Sequence, residues 1–64
     1  MVKNKVKETR CERGITQEYL AEAVGVSRQT IISLEKGNYI PSVELAITIA
    51  KFFKTSVENL FTIN

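Results

Sequence analysis

The 64-residue chain contains no histidine and no tryptophan, and only one cysteine, one proline and three glycines. Each scarcity closes off a class of function. Without histidine, and with the acidic residues placed singly, there is no acid–base dyad, no Ser-His or Cys-His pair and no zinc-ligand spacing. A lone cysteine forbids an internal disulfide, so Cys11 reads as a reduced thiol of a cytosolic protein with no assigned role. GxSxG, CxxC and phosphate-cradling glycine loops are missing as well, and so short a chain offers little wall for a substrate pocket. No enzyme, cofactor or metal is expected. Nor does any apolar run approach the ~18–20 residues of a membrane span, and the first residues lack a signal-peptide core. The expectation is a cytoplasmic protein with no membrane partner.

What is present is ordinary for a small globular fold. Hydrophobic residues make up 44% of the chain, and repeats, low-complexity tracts and linkers are absent, which indicates one domain over residues 1–64. A chain of this length buries only ~60% of the surface its unfolded form exposes. The net charge of +2, with a pI near 8.9, is compatible with a nucleic-acid partner but too small to require one. The arrangement of residues has to decide.

Apolar residues recur at intervals of three and four rather than two, the helical signature. Thr16, Ser27, Ser42 and Ser56 each precede an amphipathic segment, where a helix N-cap belongs. Gly14, Gly25 and Gly37 stand where segments should stop. The spacing predicts helices from about Lys3 to Arg13, Gln17 to Val24, Arg28 to Lys36, Val43 to about Lys54, and Val57 to about Phe61. Five helices in 64 residues make a compact all-α bundle. After Thr16, Ser42 and Ser56 the second helical residue is glutamate, which complements the positive end of the helix dipole. After Ser27 it is not. That helix opens "RQ", adding a cation to an already positive end, an arrangement that makes sense if an anion docks there.

The same short helix divides sharply by angle. At ~100° per residue, Ile31, Leu34 and Glu35 share one side, while Arg28, Gln29, Ile32, Ser33 and Lys36 form the other. The first side belongs to a core with Leu20, Ala21, Val24 and Val26; a second core stripe is Leu45, Ile49 and Phe53. The polar side has the chemistry of base recognition. Arginine can fork onto guanine N7 and O6, glutamine can pair with adenine, and isoleucine can meet a thymine methyl. A helix, a tight turn at "GVS" and a second helix with that outward face describe a helix-turn-helix with a core over about residues 16–36.

At this point the sequence resembles the Cro/CI-type helix-turn-helix regulators, also known as the xenobiotic response element group. The resemblance is carried by Arg10, "GITQEYLAEAVGVSRQTIISLEKG" from 14 to 37, "PSVELAITIAKFF" from 41 to 53 and "SVENLF" from 56 to 61. It implies a lambda repressor-like five-helix domain with its third helix in the major groove of double-stranded DNA. By position, Gln17 should meet a phosphate, and Arg28 and Gln29 should read base edges. Ser27 and Thr30 should serve bases or phosphates, with Ile32 and Ser33 one turn further in. Lys36 and Asn38 should reach the backbone, with Tyr39 a lesser phosphate candidate. The resemblance also implies that Arg10 and Glu35 pair as a brace. Three positions depart from the pattern: Ile32 where a small polar residue is commoner, Thr9 where the first helix would hold a larger apolar residue, and Lys54-Thr55 in place of "G-V", suggesting a looser turn.

One recognition helix specifies few base pairs, each contributing only ~1–3 kcal/mol of discrimination. Members of this group commonly dimerise on palindromic operators, with recognition helices roughly 34 Å apart. Val43 and Ile47 lie opposite the core stripe, and Phe52 and Ile63 also lack an obvious core place, which suggests a homodimer surface near the C-terminus. With no second domain and no small-molecule effector in view, the expected function is a repressor that occludes its operator. The alternative is a protein-interaction module on the same fold, such as an antitoxin-like or co-regulator subunit.

Overall fold

In the computed structural model, which describes residues 2–63, the chain runs β1 (Val2–Asn4), α1 (Val6–Glu12), α2 (Gln17–Val24), α3 (Arg28–Glu35), α4 (Val43–Phe52), α5 (Val57–Leu60) and β2 (Phe61–Ile63). The expected all-α bundle is there, and its caps explain why. Thr16, Ser27, Ser42 and Ser56 each adopt an extended conformation, and the side-chain oxygen of each accepts the amide of the third residue of its helix. That satisfies a donor the helix cannot satisfy itself.

α1 and α3 stop one residue short of expectation, at Glu12 and Glu35, and helix ends differ in three further places, each for a visible reason. The helix expected from about Lys3 begins at Val6, because Asn4 takes over the chain's entry. Its Oδ1 accepts the Val6 amide at 3.1 Å and its Nδ2 donates to the Leu34 carbonyl at 2.9 Å. Residues 2–4 instead pair antiparallel with 61–63, Val2 opposite Ile63 and Asn4 opposite Phe61, and α5 correspondingly ends at Leu60. Strands of three residues are too short to show the alternation that marks a strand in sequence. At the third place, α4 stops at Phe52 and the turn after it is tight rather than loose. The amides of Lys54 and Thr55 fold back onto the carbonyls of Lys51 and Ala50 at 3.1 and 2.9 Å, a Schellman closure. Lys54 supplies the left-handed residue, with φ +58°, a conformation that costs a lysine more than a glycine.

All five helices feed one core. Its fully buried side chains are Val6, Leu20, Ile31, Leu34, Ile49, Phe53 and Leu60. Val24 and Val26, expected in the core, pack against it only partly buried. Phe52 is not the spare surface residue that its spacing suggests. It lies half-buried against the core, its ring centroid 5.1 Å from Phe53 and 6.3 Å from Tyr19. Helix α1, with Thr9 in place of a larger apolar residue, buries only Val6. The start of the chain is therefore tethered largely by polar contacts, including the Lys5 amide donating to the Leu60 carbonyl at 2.9 Å.

Candidate nucleic-acid interface

The link between α2 and α3 is three residues long, and each has a physical task. Gly25 ends α2 at φ +78°, a left-handed conformation in which any side chain would be strained. The Val26 amide then returns to the Ala21 carbonyl at 3.0 Å, while the Val26 side chain packs against the core. Ser27 caps α3, its Oγ accepting the Thr30 amide at 3.2 Å and sharing a 3.0 Å hydrogen bond with the Thr30 hydroxyl. The turn therefore fixes the angle between the helices before any partner arrives.

Helix α3 stands with its apolar flank fully inside and its polar flank outside. Ile31 and Leu34 have no exposed surface. Ser27, Arg28, Gln29 and Lys36 are exposed, and Thr30, Ile32 and Ser33 are half-buried beside them. Every other helix has a glutamate in its first turn: Glu8, Glu18, Glu44 and Glu58. α3 has none, so its positive end and the Arg28 guanidinium point into solvent together.

Beneath that face lies the Arg10–Glu35 brace. Arg10 Nε donates to Glu35 Oε2 at 2.7 Å and Nη2 to Oε1 at 3.2 Å, while Nη1 donates to the Ile15 carbonyl at 2.8 Å. The two side chains are only 12% and 4% exposed, so each charge depends on the other. The carboxylate hydrogen bonds hold the Arg10 pKa above its ordinary value. Gln17 joins the same cluster, its Nε2 donating to Glu35 Oε1 at 3.1 Å. One Gln17 amide hydrogen is thus used internally, and among the described residues no partner is recorded for the other.

Five of the sequence-derived candidates, Ser27, Gln29, Thr30, Ile32 and Ser33, stand along α3 as described, and the other five border hollows around it. Gln17 and Arg28 border one polar hollow with Arg10, Thr16 and Glu18, between the starts of α2 and α3. Lys36 and Asn38 border another at the far end of α3. Tyr39, 40% exposed, stands apart, beside Gly25, Val26 and the first turn of α4. The sequence reading missed Lys3. Placed in the first helix by spacing, it sits instead on β1 and shares the hollow of Lys36 and Asn38. Its proximity depends on the strand pairing, for which three residues gave no signal. Among the described residues no cluster of histidine, cysteine or acidic side chains could hold a metal ion, and no helix is long and apolar enough to cross a membrane.

A cap-and-glycine turn joining two helices, the second with a buried apolar flank and an exposed polar one, defines the helix-turn-helix class. Residues 6–60 match the helix-turn-helix family model, and the chain belongs to the helix-turn-helix family of transcriptional regulators. It is similar to two regulators that are themselves uncharacterised. One is MJ0272 of Methanocaldococcus jannaschii, 55% identical over 60 residues covering 94% of this chain and 91% of the relative. The other is YgzD of Bacillus subtilis, 52% identical over the same shares. Among solved structures it resembles a candidate DNA-binding protein from Bacteroides fragilis with a TM-score of 0.87. Identity there is 26%, covering 97% of this chain and 100% of the other.

Proposed function

We propose that the protein is a Cro/CI-type repressor that binds a palindromic operator in double-stranded DNA as a homodimer, placing α3 of each subunit in the major groove. The observation that carries the reading is the outer face of α3. Arg28 and Gln29 are exposed at an acid-free helix start, while the opposite flank is locked in the core. In this reading Arg28 and Gln29 contact base edges, and Ile32 and Ser33 meet bases one turn further in. Ser27 and Thr30 hydroxyls, already bonded to each other, set the helix entry and contact the adjoining phosphate. Gln17 clamps a phosphate at one end with its remaining amide hydrogen. Lys36, Asn38 and the newly placed Lys3 do so at the other, with Tyr39 at the margin.

Size supports a repressor. The subunit measures 28 × 22 × 20 Å, and recognition helices one turn apart are separated by roughly 34 Å. Two subunits therefore cover about two turns of duplex, enough to exclude another protein from a promoter. The setting is the cytoplasm, on nucleoid DNA.

The test is operator selection from a random duplex pool, followed by anisotropy against salt. Log affinity should fall linearly with log salt. Arg28→Ala and Gln29→Ala should flatten the preference for the selected site, whereas Gln17→Ala and Lys36→Ala should weaken all sequences alike. Equal losses on selected and random DNA in all four variants would overturn the assignment of roles. Absence of binding at low salt would overturn the function itself.

A further inference from the structure

We propose that Asn4 is a positioning residue for DNA binding: by tying β1 to the last turn of α3, it holds Lys3 beside Lys36 on one phosphate-contacting edge. The inference rests on the DNA reading above and adds what keeps one of its contacts in place.

The ribbon by itself is too weak for that task. Each strand has three residues, and a lone two-stranded ribbon is marginal in water. A slip of one residue would turn every side chain of β1 to the opposite face. In the observed register Val2 and Asn4 are half-buried and Lys3 between them is exposed. Whatever fixes Asn4 inward therefore fixes Lys3 outward. The Asn4 carboxamide is fixed at both ends. Its Nδ2 donates to the Leu34 carbonyl at 2.9 Å, 30 positions along the chain, and its Oδ1 accepts the Val6 amide at 3.1 Å. A carboxamide carries a donor and an acceptor on one short side chain. Leu34 stands two residues before Lys36, in the last turn of α3. The bond thus references β1 directly to the helix that reads DNA.

The hollow that Asn4 borders with Lys3, Lys36 and Asn38 has the electrostatics of an anion site. The one acid among its lining residues is Glu35, whose side chain is 4% exposed and whose two oxygens are engaged by Arg10 and Gln17. Lys3 and Lys36 are exposed, and among the described residues the recorded ion pair is Arg10–Glu35. Two cations on separate elements meet the same stretch of backbone only while those elements keep their relative place. Setting that place before the duplex arrives lowers the ordering cost of the contact.

The experiment is anisotropy on the full chain against salt, on selected and random duplexes, with circular dichroism as the fold control. The slope of log affinity against log salt counts the phosphates neutralised. A simple loss of folded protein lowers affinity without changing that slope. Lys3→Ala should flatten it by about one on every duplex. Asn4→Ala should flatten it by the same amount on its own and by nothing further in the Lys3→Ala background. An unchanged slope in either single variant, or an Asn4→Ala effect undiminished without Lys3, would overturn the proposal. Should Asn4→Ala fail to fold, Asn4→Ser decides in the same two backgrounds. Its hydroxyl still accepts the Val6 amide but is too short to reach the Leu34 carbonyl. A wild type that binds no DNA at low salt sinks the DNA reading. A wild type that binds, with a slope indifferent to Asn4, sinks only this one.

Discussion

On α3 and its C-cap the exposed residues include Arg28, Gln29 and Lys36, whereas on α4 they include Val43 and Ile47. Inwardly the two helices are built alike: Ile31 and Leu34 are buried on one, and Leu45, Ala46, Ile49 and Ala50 on the other. Both begin at a serine whose oxygen accepts the amide three residues on. Folding therefore constrains the two inner faces in the same way and leaves the outer faces free. A polar outer face is stable in water and needs no cover, so its particular residues can be chosen for what they bind. An apolar outer face gains by leaving water, and Val43 and Ile47 give α4 such a face.

The sharpest way to break this comparison is through the brace, since it alone ties charge to the buried side of α3. Glu35→Ala leaves Arg10 without its carboxylate in a sheltered place and should cost about 3 kcal/mol or more in urea unfolding. For a domain whose total stability is on the order of 5 kcal/mol, that is most of it. Glu35→Gln should also destabilise measurably, and an unchanged unfolding midpoint would show that the ion pair contributes nothing.

Next come the inner faces themselves. Leu34→Ala and Ile49→Ala should each lower stability by about 2–4 kcal/mol, and similar values would confirm that α3 and α4 serve the core equally. If either proved neutral by chemical denaturation, the claim of equivalent inner faces would fail. The outer face of α3 should behave differently. Arg28→Ala should shift unfolding by no more than about 0.5 kcal/mol, yet remove about 1–3 kcal/mol of discrimination between selected and mismatched duplexes. A large stability loss there would mean that Arg28 is structural.

The smallest effects belong to the helix ends. Ser27→Ala removes the cap of α3 and should cost about 1 kcal/mol, read from thermal unfolding. Lys54→Gly should act in the opposite sense and stabilise by about 0.5–1 kcal/mol, because glycine takes the φ of +58° without the side-chain clash. A decrease would show that the lysine side chain has a compensating contact.

Legibility in the sequence followed the range of the interactions. The capped starts of α2, α3, α4 and α5 were readable because each cap acts over three residues. The division of α3 was readable because a helical period is a local rule. The Arg10–Glu35 pair spans 25 positions and was reached through family resemblance, with the wheel agreeing only that Glu35 faces inward. The ribbon was invisible, since its strands lie about 60 residues apart and each is too short to alternate. With it went the position of Lys3 beside Lys36. Phe52 was misplaced because periodicity gives a direction around α4 but not what stands there, and what stands there is Tyr19 of α2.

By itself, the order of residues determined α2 to α5 with their caps, the tight link at Gly25 and which side of α3 is polar, since all of these arise from contacts within a turn or two of the chain. Tertiary structure alone decided what surrounds those faces. It joined Gln17 to Glu35, brought the two ends of the chain together as a ribbon, and gathered Ile40, Val43, Ile47 and Ile63 around one groove. Such neighbours meet only when distant segments pack, and the free energy that sets their meeting belongs to the whole core rather than to any stretch of sequence.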